Sequence, residues 1–299
     1  MKKLDLYIKN CKKLIDMPYN ELNLNNYKKK VCNLLKIKEL QFINTSNKSP
    51  IKLMSGQDKN AGIIFNGIGK KNKRNIYLIG KGILFDSGGY NLKNKMDTMK
   101  CDMAGMAIAM AVSSYLDKDN VIAYCPVATN FIHNNGIIPS DIINIGKKKV
   151  EILNTDAEGR LILAEAISNL KVSKNDIVIT IATLTGACAI AIGEKATAIM
   201  SVNDNLANGY YKASLKTKEL SWILPMWEYI DKELNKKLIP NILKHKCGTI
   251  NAGLFLKQFV KYENNFLHLD IAYSAYDENK RKATGEPIKT LVEFIKSIT

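Results

Sequence analysis

Segments with the character of buried strands alternate with helical segments from residue 75 to the end of the chain. "NIYLIGKGILF" predicts a buried strand that runs to Phe85, and "MKCDMAGMAIAMAVSSYL" predicts a helix packed through Ala and Gly. Further strands are predicted at 120–129, 149–155, 176–186, 196–202 and 266–274, and further helices at 159–171, 252–262 and 288–298. This alternation is typical of an α/β fold, here a single domain whose central, mostly parallel mixed sheet is flanked by helices.

The first fifty residues have a different pattern. Apolar residues recur at helical spacing, at Leu4, Ile8, Cys11, Leu14 and Ile15, which predicts helix without an intervening strand. We therefore expect residues 1–50 to form a short, peripheral helical extension and residues 51–299 to form the main domain.

Composition indicates a globular protein of the cytoplasm. Of 299 residues, 46% are hydrophobic and 24% charged, as in globular chains, and no window approaches the ~18 apolar residues of a membrane span. The first residues, "MKKLDLYIKNCKKLIDM", lack the apolar core and cleavage site of a signal peptide. The six cysteines are scattered without a CxxC pair, which favours buried free thiols over a metal knuckle.

The formal net charge of +16 raises the alternative of a nucleic-acid-binding protein. The lysines, however, accompany many Ile and Asn residues and lie in runs such as "YKKK" and "KKK" in predicted loops. No cluster of aromatic and basic residues accompanies them, as a single-strand binding surface requires. DNA binding therefore stays an alternative, with salt-sensitive binding as its discriminating test.

Acidic residues lie close to the ends of the predicted strands, where ligands bind in such sheets. The five are Asp86, Asp97, Asp102, Asp156 and Glu158. Carboxylates that share a pocket repel one another unless their pKa values rise or metal ions bind. Oxygen ligands suit Mg, Mn or Zn, and two ions that share carboxylates are a recurring hydrolytic design. Asp97 is expected instead to be solvated or to cap a helix, and the three histidines lie outside these motifs.

Two lysines accompany the acids, Lys81 in "GKG" and Lys93 after "DSGGYNL". A lysine beside two dications either loses its proton and becomes a ligand or stays charged and polarises a carbonyl. Asp156 and Glu158, two residues apart, are expected to point to one side of an extended segment.

Simpler interpretations remain for these motifs. In "NTDAEGR", Thr155 or Asp156 would cap the helix that begins near Glu158. "FDSGG" is similar to the nucleophile motif of chymotrypsin-like proteases, but that fold is all-β and stapled by disulfides, so a Ser87 nucleophile is disfavoured.

Taken together, the motifs resemble those of the leucyl aminopeptidase family, the dinuclear-metal cytosol aminopeptidases. "NTDAEGR" is the family signature, and "GKGILFDSGG", "LKNKMDTMKCDMAG", "TLTGAC" and "ATGEPIKTLVEF" occur in the family's order. The resemblance covers roughly residues 50–299, the family's catalytic domain, and the short N-terminal extension stands where members usually carry a further α/β domain.

The resemblance implies an aminopeptidase that releases the N-terminal residue of peptides, with Leu-like residues preferred. It assigns Lys81, Asp86, Asp102 and Glu158 to a tighter metal site, and Asp86, Asp156 and Glu158 to a more exchangeable one. The two ions are Mn or Zn, with Mg or Co as alternatives. Lys93 polarises the scissile carbonyl, and Arg160 holds a bicarbonate ion that acts as general base.

The resemblance also implies a substrate pocket and a homohexamer built from catalytic-domain contacts, with a trimer as the alternative. The pocket positions are Met99, Asn154, Thr183, Leu184, Gly186 and Ala272. Tyr273 departs from the family, which commonly has Gly there, and either narrows the pocket or packs against a neighbouring subunit. An inactive scaffold is a further alternative, and the presence of every matched ligand, Lys93 and Arg160 argues against it.

Overall fold

The structure is a computed structural model that describes residues 3–70 and 73–299. Met1 and Lys2 of the predicted N-terminal extension lie outside the described residues. The ten helices of the described residues are α1 Lys3–Asp16, α2 Tyr27–Leu35, α3 Pro50–Met54, α4 Ala104–Leu116, α5 Glu158–Asn169, α6 Ala187–Ile192, α7 Asp204–Thr217, α8 Glu228–Leu234, α9 Gly248–Lys257 and α10 Ile288–Ile298. Short 3₁₀ turns lie at Met99–Met103 and Glu263–Asn265.

The strands of the described residues form one large and two small sheets. They are β1 Gln41–Ile43, β2 Gly62–Asn66, β3 Ile76–Gly80, β4 Gly82–Asp86, β5 Val121–Asn130, β6 Ile142–Ile145, β7 Lys148–Glu151, β8 Ile177–Ala182, β9 Thr197–Met200, β10 Ser221–Ile223, β11 Leu238–Pro240, β12 Phe266–Asp270, β13 Tyr276–Asp277 and β14 Lys282–Ala283. The small sheets are β11-β7-β6 and β13-β14.

The large sheet has nine strands in the order β1-β2-β5-β3-β8-β12-β9-β10, with β4 paired to β5. The central strands β5, β3, β8 and β12 run parallel, whereas β1, β2 and β9 join through antiparallel pairs. All ten residues of β5 are buried, as expected for a strand covered on both faces. The predicted α/β class with a mostly parallel mixed sheet is confirmed.

Two groups of helices flank this sheet. Helix α4 packs on β3, β5 and β8 and is itself covered by α1, α2 and α10, while α5 packs on β3 and β5 beside α3 and α9. The continuous apolar stretch of α4, buried from Ala104 to Ser113, explains why the sequence shows no polar face there: neighbouring elements surround the helix.

The predicted strand 75–85 is interrupted. β3 ends at Gly80, where it pairs with Ile181 of β8, and the Lys81 amide still donates to the Ile181 carbonyl over 2.9 Å. β4 then continues along β5 alone within the described chain, so the sheet opens between β4 and the end of β8. The expectation of one strand to Phe85 is wrong, because an apolar sequence pattern does not show where a strand changes its pairing partner.

The N-terminal segment contains the predicted helices α1 and α2. Cys11, Leu14 and Ile15 are fully buried, with α1 packed on α4. The segment also contributes the edge strand β1, in which Gln41 pairs with Phe65, and that strand was not expected. The division at residue 50 stays a prediction.

No helix among the described residues is long and apolar enough to cross a membrane. All six cysteines are free; Cys11, Cys101, Cys125 and Cys188 are buried, and Cys32 and Cys247 are half-buried.

Candidate metal centre

Three carboxylates converge at the carboxyl edge of the parallel strands. Asp86 is the last residue of β4, Asp102 lies in the 3₁₀ turn that precedes α4, and Glu158 is the first residue of α5. One oxygen from each lies within 4.8 Å of the others, and all three residues are buried. Such a cluster of oxygen donors fits a divalent cation.

Lys81 lies in the opening between β3 and β4 and points into this cluster. Its Nζ lies 2.7 Å from Asp102 Oδ1 and 2.9 Å from Glu158 Oε1, and it donates to the Thr183 carbonyl over 2.9 Å. Burial acts to lower the pKa of Lys81, but the surrounding carboxylates outweigh it and raise the pKa well above the ordinary value. With these neighbours the side chain is a cation that neutralises part of the carboxylate charge.

Glycines make room for Lys81. A Cβ on Gly159 would lie 2.5 Å from Lys81 Cε, and a Cβ on Gly105 would lie 2.8 Å from the Lys81 amide nitrogen and 2.1 Å from the Ile181 carbonyl oxygen. These distances are shorter than carbon–carbon and carbon–oxygen contacts allow. The absence of side chains at the first turns of α5 and α4 therefore lets both helices approach the site.

Lys93 reaches the cluster from the loop after β4. Gly88 and Gly89 have φ values of +90° and +61°, which only glycine adopts without cost, and they turn the chain so that the Lys93 amide donates to the Ser87 carbonyl over 3.0 Å. The Lys93 ammonium lies 2.9 Å from Asp86 Oδ2 and is also paired with Asp156 Oδ1.

The signature stretch before α5 is a turn and not the extended segment that we predicted. β7 ends at Glu151, and the Asp156 amide donates to the Asn154 side-chain oxygen over 2.7 Å, a local bond that stabilises turns. The capping interpretation is also wrong, because Ala157 occupies the cap position of α5 and no side chain accepts a bond from its first turn.

The carboxylates of the cluster carry more negative charge than the two lysines neutralise. Burial, with Asp86 and Glu158 as neighbours, raises the pKa of Asp102 well above its usual range, and burial also raises the pKa of Glu158. Burial with the neighbouring acids raises the pKa of Asp156 to about 6. Asp102 Oδ2 is buried and has no hydrogen-bond partner in the part of the chain that the structure describes. A buried acceptor left unpaired is costly, and a metal ion would satisfy it.

Arg160, in the first turn of α5, is a buried cation beside this cluster. Its Nη1 donates to the Asn241 carbonyl over 2.8 Å, its guanidinium lies 5.9 Å from the Phe255 ring centroid, and its buried Nε has no hydrogen-bond partner. Burial lowers the pKa of Arg160 to about 10, so it remains charged at neutral pH. A buried guanidinium with an unused donor fits a small anion.

The loops that follow β8 and β12 hold four of the six predicted pocket residues. Thr183 Oγ1 donates to Asp102 Oδ1 over 2.8 Å, which places its loop beside the carboxylates. Asp270 ties the two loops together: its side chain accepts from the amides of Leu184 and Ala272, each over 3.2 Å. Gly186 is exposed in the same loop.

The other two predicted pocket residues come from different segments. Met99 begins the 3₁₀ turn that carries Asp102, and Asn154 precedes the Asp156 turn, its carbonyl accepting from Asn241 Nδ2 over 2.6 Å. Both are half-buried.

Three residues of the site were missed from sequence. Asn130 Nδ2 donates to Asp86 Oδ1 over 2.8 Å and to the Thr155 carbonyl over 3.1 Å, so it fixes the position of two acidic segments. It ends the buried strand β5 at the same edge as Asp86, and a polar residue in that position was a usable signal. Asp270 ends β12 and offered the same signal, whereas Asn241 carried none, because it ends no strand and bonds residues far away along the chain.

Some acidic and nucleophilic candidates lie outside the cluster. Asp97 is 61% exposed and pairs with Arg281 over 3.1 Å, in line with a solvated residue. The Ser87 hydroxyl donates to the Asn130 carbonyl over 2.7 Å. Of the histidines, His268 lies within β12 and bonds Thr180, and His245 pairs with Glu233.

Comparison with known proteins identifies relatives of this chain. Residues 10–292 match the sequence profile described as "Cytosol aminopeptidase family, catalytic domain". The chain belongs to this family. The resemblance drawn from the motifs is thereby confirmed, and the match begins within α1, upstream of residue 50.

Curated relatives of the family are more than a third identical to the chain over the aligned residues. It is 39% identical to the "Probable cytosol aminopeptidase" of Blochmanniella floridana over 239 residues, which are 76% of this chain and 47% of the relative. It is 38% identical to the "Cytosol aminopeptidase" of Buchnera aphidicola subsp. Acyrthosiphon pisum (strain APS) over 285 residues, 91% of this chain and 56% of the relative. The chain thus spans about half the length of the curated relatives it matches.

Solved structures share the fold over almost the whole chain. The "Bottromycin maturation enzyme BotP" superposes with a TM-score of 0.88 at 25% identity, covering 99% of this chain and 70% of that one. A structure of the same enzyme "in complex with Mn" superposes with a TM-score of 0.87 at 24% identity, over 99% and 71% of the two chains.

Proposed function

We propose that this protein is a metal-dependent aminopeptidase that hydrolyses the N-terminal residue, Leu-like by preference, from peptides. The observation that carries the proposal is the convergence of Asp86, Asp102 and Glu158, with one oxygen from each within 4.8 Å of the others, around a buried lysine. Membership of the cytosol aminopeptidase family supports the peptide substrate.

Five residues would hold two divalent ions. Lys81, Asp86, Asp102 and Glu158 form one ligand set, and Asp86, Asp156 and Glu158 form the other, with Asp86 and Glu158 shared. When bound, the ions would lower the pKa of a bridging water and accept the substrate's free α-amine, which accounts for cleavage at the N-terminus. Lys81 must release its proton to become a ligand, so metal affinity should rise with pH.

Lys93 is positioned to act on the scissile carbonyl. Burial acts to lower its pKa, but Asp86 and Glu158 outweigh burial and keep the pKa above the ordinary value. The protonated form of Lys93 would donate a hydrogen bond from Nζ to the carbonyl oxygen as negative charge develops there. The Gly88–Gly89 turn holds it in place before substrate binds, which limits reorganisation during the reaction.

Arg160 would hold bicarbonate as the general base. Among the described residues, the buried Nε of the guanidinium has no hydrogen-bond partner, and no carboxylate lies within ion-pair distance of the group. A bound bicarbonate would take the proton of the attacking water. Arg160 contributes by binding and orienting that anion next to Glu158, two residues before it.

The substrate's first side chain would lie against the loops after β8 and β12, which contain Thr183, Leu184, Gly186 and Ala272, with Met99 and Asn154 as further contacts. A homohexamer is proposed as the assembly. The edge strand β10 favours self-association, because Trp222 is 57% exposed and the preceding Leu220 is 61% exposed. Light scattering measures the assembly directly.

The proposed function is tested by hydrolysis of leucine p-nitroanilide and a peptide panel. Metal-stripped protein receives Mn or Zn in bicarbonate buffer; Mn comes first, since BotP has been described in complex with it. We expect release of the N-terminal residue that depends on metal, falls at least ~100-fold in E158Q, and survives in D97N, whose carboxylate lies outside the cluster. If neither ion supports release of the N-terminal residue, the proposal is contradicted and DNA binding is favoured. DNA binding would then show an affinity that falls steeply with salt and persists in E158Q.

A further inference from the structure

A cavity of about 530 Å³ is lined in part by Tyr273 and Ser274, which directly follow the proposed pocket residue Ala272. Its walls include Glu194, Tyr273, Tyr276, Glu278 and Thr284. Glu194 precedes β9, which runs antiparallel to β12, so the start of β9 lies beside the carboxyl end of β12. Neither the cavity nor these five wall residues is used in the proposed reaction.

Tyr273 lines this cavity and also reaches the loop that holds three of the proposed pocket residues. A methyl group placed on Gly186 would lie 3.8 Å from the Tyr273 hydroxyl oxygen, so the phenol reaches across to the loop after β8. That loop begins with Thr183, whose hydroxyl contacts Asp102. The tyrosine side chain therefore borders both the cavity and a loop that contacts the carboxylate cluster.

The backbone around Tyr273 is held on both sides. Before it, the Ala272 amide donates to Asp270. After it, the Ser274 hydroxyl bonds Thr197 over 2.8 Å, and the Ser274 carbonyl accepts from Thr284 Oγ1 over 2.5 Å. A tyrosine has only two side-chain torsions, and from a fixed backbone its ring makes a stiff wall.

We propose that Tyr273 is a specificity-determining residue that limits the length of the substrate's first side chain: it admits chains of about leucine size and keeps longer ones out of the cavity behind it. The inference rests on the proposed function and adds its size limit. Shortening Tyr273 joins the pocket to the cavity, which has room for an aromatic or long unbranched side chain. Gly186 lies opposite the hydroxyl, within contact distance of it.

The test compares kcat/KM for the p-nitroanilides of Leu, Phe and Met in metal-loaded wild type, Y273A, Y273S and Y273F. We expect the Phe/Leu and Met/Leu ratios to rise by about 10-fold in Y273A and Y273S. This is the lower end of the range for one carbon group in an apolar pocket, because charged residues such as Glu194 and Lys195 also line the cavity. In Y273F the ring remains and the ratios should stay within a factor of two or so of wild type. Y229A, which removes a tyrosine that is 59% exposed on α8, controls for general loosening.

The outcomes separate the two proposals. Leu hydrolysis in every variant with unchanged ratios in Y273A and Y273S overturns the size limit and leaves the aminopeptidase intact. Wild-type protein that cleaves the Phe anilide as well as the Leu anilide also overturns the size limit. No cleavage of any anilide by metal-loaded wild type removes the proposed function, and the size limit with it. Thermal melts establish whether each variant is folded. Because Y273A and Y273S test the same point, the test can still be made if one of them does not fold.

Discussion

At the scale of single residues, the candidate site depends on one buried lysine. Lys81 is 3% exposed and contacts Asp102, Glu158 and the Thr183 carbonyl. Burying one charge is costly, and the arrangement is stable only because opposite charges and a carbonyl surround it. The position of that lysine therefore depends on the room left for its methylene groups.

Gly159→Ala tests that room. The new Cβ would meet Lys81 Cε at 2.5 Å, and the lysine cannot move without breaking its contacts. We expect the substitution to lower the free energy of unfolding by about 1–3 kcal/mol and to abolish most metal-dependent hydrolysis. Urea unfolding and the Leu anilide assay measure the two effects.

Gly253→Ala in α9 is the matched control. Its Cβ would lie 2.8 Å from Met200 Sδ, but a thioether side chain rotates away easily, so activity should be retained. Equal losses of activity in the two variants would contradict the role given to Gly159.

At the scale of elements, a side chain of one helix holds the start of another. Glu165 on α5 accepts from the Ile51 amide in the first turn of α3 over 3.1 Å, and Ser49 caps the same turn. α3 has only five residues and needs such tertiary support to form. Burial raises the pKa of Glu165 from 4.5 to about 7.

Glu165→Gln should therefore change stability in a pH-dependent way. The folded-state pKa lies above the unfolded one, so the stability contribution of Glu165 is complete below about pH 4.5 and is lost as pH rises through 7. Glutamine stays neutral and still accepts from Ile51. We expect E165Q to exceed wild type by about 3 kcal/mol at pH 8.5 and to match it near pH 4.5.

Urea unfolding at the two pH values measures this difference. Glu293→Gln, which removes an exposed carboxylate paired with Lys216 on α7, should stay within about 0.5 kcal/mol of wild type at both. An E165Q variant that is less stable than wild type at pH 8.5 would show that the ionised carboxylate is preferred in the fold.

At the scale of the whole molecule, the buried carboxylates of the site lower the stability of the fold. Burial raises the pKa values of Asp102 and Glu158, so holding both as carboxylates at neutral pH costs free energy of folding. Cations bound to the folded state offset that cost. Metal binding should therefore raise the free energy of unfolding of the entire chain.

We expect Mn or Zn at about 100 times its Kd to add ~2.7 kcal/mol of stability, which is roughly 4 °C in Tm for a chain of this size. Differential scanning calorimetry of stripped and loaded protein measures the shift. D97N should keep it and E158Q should lose most of it. A shift of equal size in E158Q would place the bound ions outside the carboxylate cluster.

The sequence by itself determined the fold class and predicted the three carboxylates that cluster in the structure. Buried strands and helices leave periodic apolar patterns because each must bury a face, and Asp86, Asp102 and Glu158 were predicted from residue type and from the rule that ligands bind at strand ends. The structure brings these three together, and the family match confirms the resemblance carried by "NTDAEGR".

Only the tertiary structure decided how those residues meet. The break at Lys81 arises because β4 leaves β8 while it stays on β5, and the Asp156 turn and the Asn130 and Asp270 bonds depend on partners far apart in the chain. Tyr273 comes to lie opposite Gly186 only because the loops after β8 and β12 pack together. Local patterns record burial, whereas a hydrogen bond or close approach between distant segments is set by how the whole sheet and its helices pack.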